Sequence, residues 1–186
     1  VHTAKVNNIY HAPFYAAEVR RLFIDKWRDR DIDGEGLEIH TALDLKAYAF
    51  AQSALHRGLR EVDKRRGWRG PRTRLETLEE AAYREKFSAE LPEDAPATET
   101  VYPALVVELN QGTGSVEVLV GSRRATVDLR KAAWAKKLLG PDDQTRSGAP
   151  EDLIRPGDVI DVVWEAGTAG GPGRYLLDQV PEIEGA

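Results

Sequence analysis

The chain of 186 residues contains no cysteine and no methionine. Without cysteine there is no disulfide, no thiolate metal site and no cysteine nucleophile; that absence is compatible with any compartment. Without methionine the chain lacks a natural start, so it reads as a piece of a longer protein. Histidine is scarce: His2, His11, His40 and His56 are the whole set. None of them is paired at the close spacing usual for zinc ligands on one element. No stretch of these residues reads as a signal peptide or as the apolar run of ~18 residues that a membrane span needs. Positive charge is not in excess either. A formal net charge of −5 gives no general attraction to nucleic acid or to an anionic membrane.

What is present suits one or two soluble domains. Hydrophobic residues make up 41% and charged residues 31%, enough for one modest core and a solvated surface. Pro13 fits the first turn of a helix. Tyr15, Val19, Phe23 and Trp27 then recur every fourth residue, which predicts a helix over 13–28. Leu37, Ile39 and Thr41 alternate with Glu38 and His40, which predicts a half-buried strand over 37–42. After Asp44 the period changes to that of a helix. Asp44 is the N-cap, because its carboxylate can accept from the unpaired amides of the first turn. That helix carries Leu45, Tyr48, Gln52, Leu55, Leu59 and Val62 on one face and stops at Gly67. Thr77 and Glu80 fit a capping box for a helix over 78–89. Residues 92–100 read as a linker.

The second half has the rhythm of short strands. Strands are expected at 102–109, 115–120 and 125–129, a short helix at 131–139, and further strands at 159–164 and 175–180. The fold class is therefore α+β. A five-stranded OB-like β-barrel, in the order β-β-β-α-β-β, follows an N-terminal helical and strand segment. The helix between the third and fourth strands is the specific part of that match.

Several features invite a function and have a plainer reading. Asp29, Asp31, Asp33 and Gly34 open like a calcium loop, but its twelfth position is His40, which cannot supply the bidentate carboxylate. The run Gly167–Gly173 lies between two strands, whereas phosphate loops lie between a strand and a helix, so it reads as a hairpin connection. Asp142 and Asp143 read as solvated loop charge. Arg57, Arg60, Lys64, Arg65, Arg66, Arg69, Arg72 and Arg74 form a basic cluster with only Glu61 and Asp63 against it. Favourable contact with a helix C-terminus accounts for such a cluster; an anionic partner is the other reading. Residues 101–180 hold 9 Lys/Arg against 11 Asp/Glu, and their aromatics are few and scattered. Nucleic acid is therefore not expected as a partner, although Trp134 and Trp164 leave polymer binding, to glycan strands or single-stranded nucleic acid, as the alternative reading.

Gly36-Leu-Glu-Ile-His-Thr-Ala-Leu-Asp44, Ala54-Leu-His-Arg-Gly58 and Gly67-Trp-Arg-Gly-Pro71, in that order, resemble class A penicillin-binding proteins of the 1A type. Thr41-Ala-Leu-Asp44 matches the turn that opens the family's transpeptidase module. His11-Ala-Pro-Phe-Tyr15 is similar to the connection from its glycosyltransferase module. Pro150-Glu-Asp-Leu-Ile-Arg-Pro-Gly-Asp158 and Leu177–Ala186 are similar to the late part of an inserted OB-type domain and the return from it. The resemblance implies three parts: 1–71 as linker helix plus the first strand and helix of the transpeptidase module, 72–178 as the inserted OB-like domain, and 179–186 as the return strand. It implies a periplasmic location, with the parent anchored by an N-terminal membrane helix.

The family's chemistry has no counterpart in these residues. Ser53, Ser88, Ser115, Ser122 and Ser147 all lack a lysine three positions on, and no Lys-Thr-Gly is present, so the penicillin-reactive set is missing. No catalytic, metal or cofactor residue is assigned. The resemblance implies a non-catalytic spacer and protein-docking module. Its partners would be the rest of the synthase and an outer-membrane lipoprotein activator. The candidate docking surface is Arg123, Arg124, Gly170, Gly171 and Arg174; Asp44 is assigned as a structural cap.

Overall fold

The computed structural model describes residues 11–28, 30, 34, 38–76, 78–92, 94–140, 142, 144–167 and 171–182. The chain divides into two compact units, residues 1–56 with 185–186, and residues 57–184.

In the first unit, helix α1 spans Pro13–Lys26, with proline in its first turn. None of its residues is buried. Its apolar stripe is satisfied locally, with the Phe23 and Trp27 rings 4.6 Å apart. On the polar side Arg21 pairs with Glu18 at 2.6 Å and with Asp25 at 3.0 Å. Residues 38–44 have no regular structure, which corrects the strand expected at 37–42; residue 37 lies outside the described residues. A strand needs a neighbour for its backbone groups, and among the described residues no strand pairs with this segment. Helix α2, Leu45–Arg66, begins here and continues into the second unit. The Asp44 carboxylate accepts from the amides of Lys46 at 2.8 Å and Ala47 at 3.2 Å, as an N-cap does.

The second unit is built on antiparallel strands. In chain order they are β1 (Thr73–Arg74), β2 (Val101–Asn110), β3 (Ser115–Val120), β4 (Arg123–Asp128), β5 (Lys137–Leu139), β6 (Thr145–Ser147), β7 (Asp158–Glu165) and β8 (Arg174–Leu177). The main sheet runs β1-β7-β2-β3-β4, with β8 also paired to β7. Helix α3, Glu80–Phe87, falls inside the expected 78–89. Thr77 of the expected capping box lies outside the described residues.

Alternation on β2 shows how the core is made. Ala104 and Val106 point into the barrel with Val116, Val118, Val127, Ile160 and Val162. Leu105, between them, points out and is covered by Tyr83 and Phe87 of α3, together with Leu119 and Val159. Both faces of β2 are thus buried, which explains why Ala104–Val107 is a continuous apolar run. The Tyr83 hydroxyl donates to the Pro103 carbonyl at 2.7 Å, so α3 is fixed by a polar bond as well as by area.

Two expectations are corrected. The closed five-stranded barrel is not formed: the main sheet has six strands and makes an open barrel. Strands β4 and β8 approach each other, but no hydrogen-bonded ladder joins them, and the seam stays open. The helix expected at 131–139 is absent. Its place is taken by two short 3-10 turns, Leu129–Lys131 and Ala133–Lys136, followed by β5. The cause is tertiary. Trp68 donates from its amide to the Lys137 carbonyl at 2.7 Å and accepts from the Leu139 amide at 2.8 Å, and β6 pairs on the other side. Residues 137–139 are therefore drawn into extended backbone despite good helix formers. A single helical turn, α4 (Pro150–Leu153), leads on to β7.

Candidate functional site

The basic cluster at the end of α2 closes on the acids of this same unit. Asp63 is the buried residue of α2, only 1% exposed. Its two carboxylate oxygens accept from Arg69 Nη1 at 2.8 and 2.9 Å, and one of them also accepts from Gln179 Nε2 at 2.6 Å. Gln179 donates again to the Gly67 carbonyl at 3.0 Å and accepts from the Arg69 amide at 3.3 Å. Lys64 reaches the buried Asp178 at 2.9 Å. Arg69 Nη2 donates to the Val180 carbonyl at 2.6 Å. Residues 63–69, which lead into the barrel, are thereby clasped to residues 178–180, which lead out of it.

The clasp satisfies itself. Buried charges are tolerated only when paired and hydrogen-bonded, and each oxygen of Asp63 has a donor. Gly67 sits at the crossing with φ +130°. A Cβ there would stand 2.8 Å from the Lys137 carbonyl oxygen, so only glycine lets the two backbones approach this closely. Asp161 adds a tension at the same place. One of its oxygens accepts from the Val180 amide at 3.3 Å; the other is buried without a hydrogen bond, and Arg72 Nη1 stands 3.7 Å away. Burial pushes the Asp161 carboxyl above its ordinary range, against the Val180 amide and Arg72, with Glu90 and Asp178 adding to the push.

Other members of the basic cluster are also engaged. Arg57 pairs with Glu99 at 2.7 Å, Arg72 with Glu90 at 2.6 Å, and Arg74 lies 3.8 Å from Asp158. The helix dipole was therefore only part of the account. Sequence reasoning missed Asp161, Asp178 and Gln179. The signal that was available is Asp63 itself, an acid set inside a basic run.

Of the predicted docking residues, Arg123, Arg124 and Arg174 lie at one end of the barrel. Strands β4 and β8 are each two antiparallel steps from β2, so they run parallel and their first residues share that end. Arg123 opens β4, close enough to Tyr175 to work against the upward push that burial gives the tyrosine's pKa. The Tyr175 hydroxyl is itself buried without a hydrogen-bond partner. Arg124 pairs with Glu80 at 3.4 Å and Arg174 with Glu165 at 2.5 Å. Gly171 is exposed; Gly170 lies outside the described residues. Gly173 lies against the barrel: a Cβ there would meet the Trp164 ring at 2.2 Å. Trp164 packs edge-on against Tyr175, 4.8 Å between centroids. Trp134 is half-buried, with Lys64 over its ring at 5.3 Å. Both tryptophans are thus engaged by their own neighbours.

Among the remaining sites, His40 is exposed, 3.6 Å from Glu38, and His56 is exposed on α2. Most of the acidic turn 29–35 lies outside the described residues, as does Asp143; Asp142 is exposed. Among the described residues no helix is long and apolar enough to cross a membrane, and no cluster of three or more side chains is set to hold a metal ion.

A family model of the penicillin-binding protein OB-like domain matches residues 68–183. The chain is 29% identical over 177 residues to penicillin-binding protein 1A of Rickettsia conorii, covering 94% of this chain and 20% of that protein. It is 28% identical over 182 residues to penicillin-binding protein 1A of Neisseria gonorrhoeae, covering 97% and 21%. The chain therefore spans about a fifth of the length of these relatives. Its fold is similar to the crystal structure of penicillin-binding protein 1A from Haemophilus influenzae, with a TM-score of 0.57 and 21% identity over 91% of this chain and 22% of that one.

Proposed function

The chain belongs to the family of penicillin-binding protein OB-like domains, and from that premise we propose that it is the non-catalytic interdomain module of a bifunctional peptidoglycan synthase of the 1A type. In this reading it serves cell-wall synthesis on the periplasmic side of the inner membrane. It spaces the glycosyltransferase and transpeptidase domains and offers a docking surface to an outer-membrane lipoprotein activator. The observation that carries the spacer role is the clasp of 63–69 on 178–180. A module set into a larger chain needs its two connections side by side, and a buried ionic clasp holds them in one geometry. The docking role rests on the rim where Arg123, Arg124 and Arg174 share one end of the barrel.

The test is made in the whole synthase. Residues 72–178 are replaced by a short flexible linker, and penicillin acylation and stimulation by the lipoprotein are measured. Acylation is expected to persist while stimulation is lost. Stimulation that survives the replacement in full would remove the docking role; loss of acylation would show that the module does more than space and dock.

A further inference from the structure

Among the described residues Glu99 is the one non-glycine residue with a positive φ, +66°. In this left-handed region a Cβ crowds the following carbonyl, so a glutamate held there is strained. Such a conformation persists only where its surroundings over-determine it. Here two arginines of α2 do so. Arg57 Nη1 donates to the Glu99 carboxylate at 2.7 Å, and Arg60 Nη1 donates to the Glu99 carbonyl. The two are three residues apart and share a helical face. Lys64, four residues further along that face, holds Asp178. One stripe of α2 thus grips the chain just before the first long barrel strand and just after the last.

The two grips differ in kind. Asp178 is buried, with a side chain 2% exposed, and its clasp shares the hydrogen bonds of Asp63 and Gln179. Arg57 and Glu99 are 55% and 42% exposed, so their pair is screened by water and weak. The strain that opposes it is of the same order. On its other flank the loop is tied to the barrel, because Thr98 forms a parallel bridge with Trp164.

We propose that Glu99 is a strained latch, by which the Arg57–Arg66 end of α2 holds the loop entering β2 and can release it. When closed, Arg57 and Arg60 keep the left-handed backbone in place. When open, the strain is relieved, the loop leaves the helix and the Thr98–Trp164 bridge loosens. The Asp63 clasp stays shut throughout, so the helix has one permanent and one releasable hold on the barrel. This latch does not depend on the docking role of the rim.

Amide hydrogen exchange on the full chain tests it, read at Thr100, Val101 and Trp164, with Val118 in β3 as the control for an intact fold. In the Glu99 background, Arg57→Ala with Arg60→Ala is expected to speed exchange at the three sites at least fivefold. Glu99→Gly takes the left-handed backbone without a Cβ clash. In that background the same arginine changes are expected to speed exchange less than twofold. Glu99→Gln keeps the strain and loses the charge, and is expected to move towards the double-arginine variant. Equal effects of arginine removal in the two backgrounds, or no effect in either, overturn the latch.

Discussion

Ile160 and Phe50 are both large and apolar, and the chain treats them in opposite ways. Ile160 on β7 is 1% exposed, while Phe50 on α2 is 76% exposed. The contrast holds for their regions. Between residues 57 and 184 the strands bury side chains on both faces, inside the barrel and under α3. In the N-terminal region order comes from local devices: the proline at the start of α1, the Arg21 pairs with Glu18 and Asp25, and the Asp44 cap. Such devices contribute about 0.3–1 kcal/mol each. Packing of one core residue contributes several times that. Stability in this chain should therefore be a property of the barrel region, reported separately from the N-terminal region.

The largest effect that sharpens the comparison is at Ile160. Ile160→Ala should lower stability to urea by about 4 kcal/mol, because a cavity opens in the barrel. Phe50→Ala should change it by less than about 0.5 kcal/mol. Equal losses for the two would erase the distinction between the regions. A smaller effect should appear at Asp161 and depend on pH. Burial raises its folded pKa above an unfolded value of about 3.9. Its contribution to stability is full below the unfolded value and is lost as pH rises through the folded one. Asp161→Asn keeps an acceptor for the Val180 amide and carries no charge. It should therefore gain on the natural chain between pH 3 and pH 7; a difference that stays flat across that window contradicts the assignment. The smallest effect concerns the barrel's exposed face, where Glu108 stands directly opposite Glu117 on paired strands. Like charges in that position repel. Glu117→Lys should stabilise the barrel by about 0.5 kcal/mol at low salt, and by less at high salt.

Much of the barrel could be read from residue patterns. Val116, Val118 and Val120 alternate with polar or outward positions, and the strand at 115–120 has the bounds expected. The strands expected at 102–109 and 125–129 fall on β2 and β4, with ends one or two residues off. What failed depended on distant partners. Residues 131–139 carry a helical composition, yet the backbone of Trp68, some seventy residues earlier, takes 137–139 as a strand. Residues 38–42 alternate as a strand does but have no neighbour to pair with among the described residues. The clasp was half legible. Asp63 stood out against the basic run, but nothing local shows that Gln179 meets it, or that Asp178 meets Lys64, across more than a hundred residues. The two-residue β1, on Thr73 and Arg74, is too short to carry a period of its own.

The clasp is the feature on which the spacer reading rests, and Asp63 is its centre. Asp63→Ala takes the shared carboxylate acceptor from Arg69 and Gln179 and leaves each with a hydrogen bond to a backbone carbonyl, at a cost of about 3 kcal/mol to the clasp. Native-state hydrogen exchange of the full chain, compared between the natural protein and this variant, tests the claim directly. The account predicts a joint loss of protection at Gly67–Arg69 and at Gln179–Val180, by a similar factor, with β2 and β3 unchanged. Loss at one of the two segments alone, or no loss at either, would contradict it.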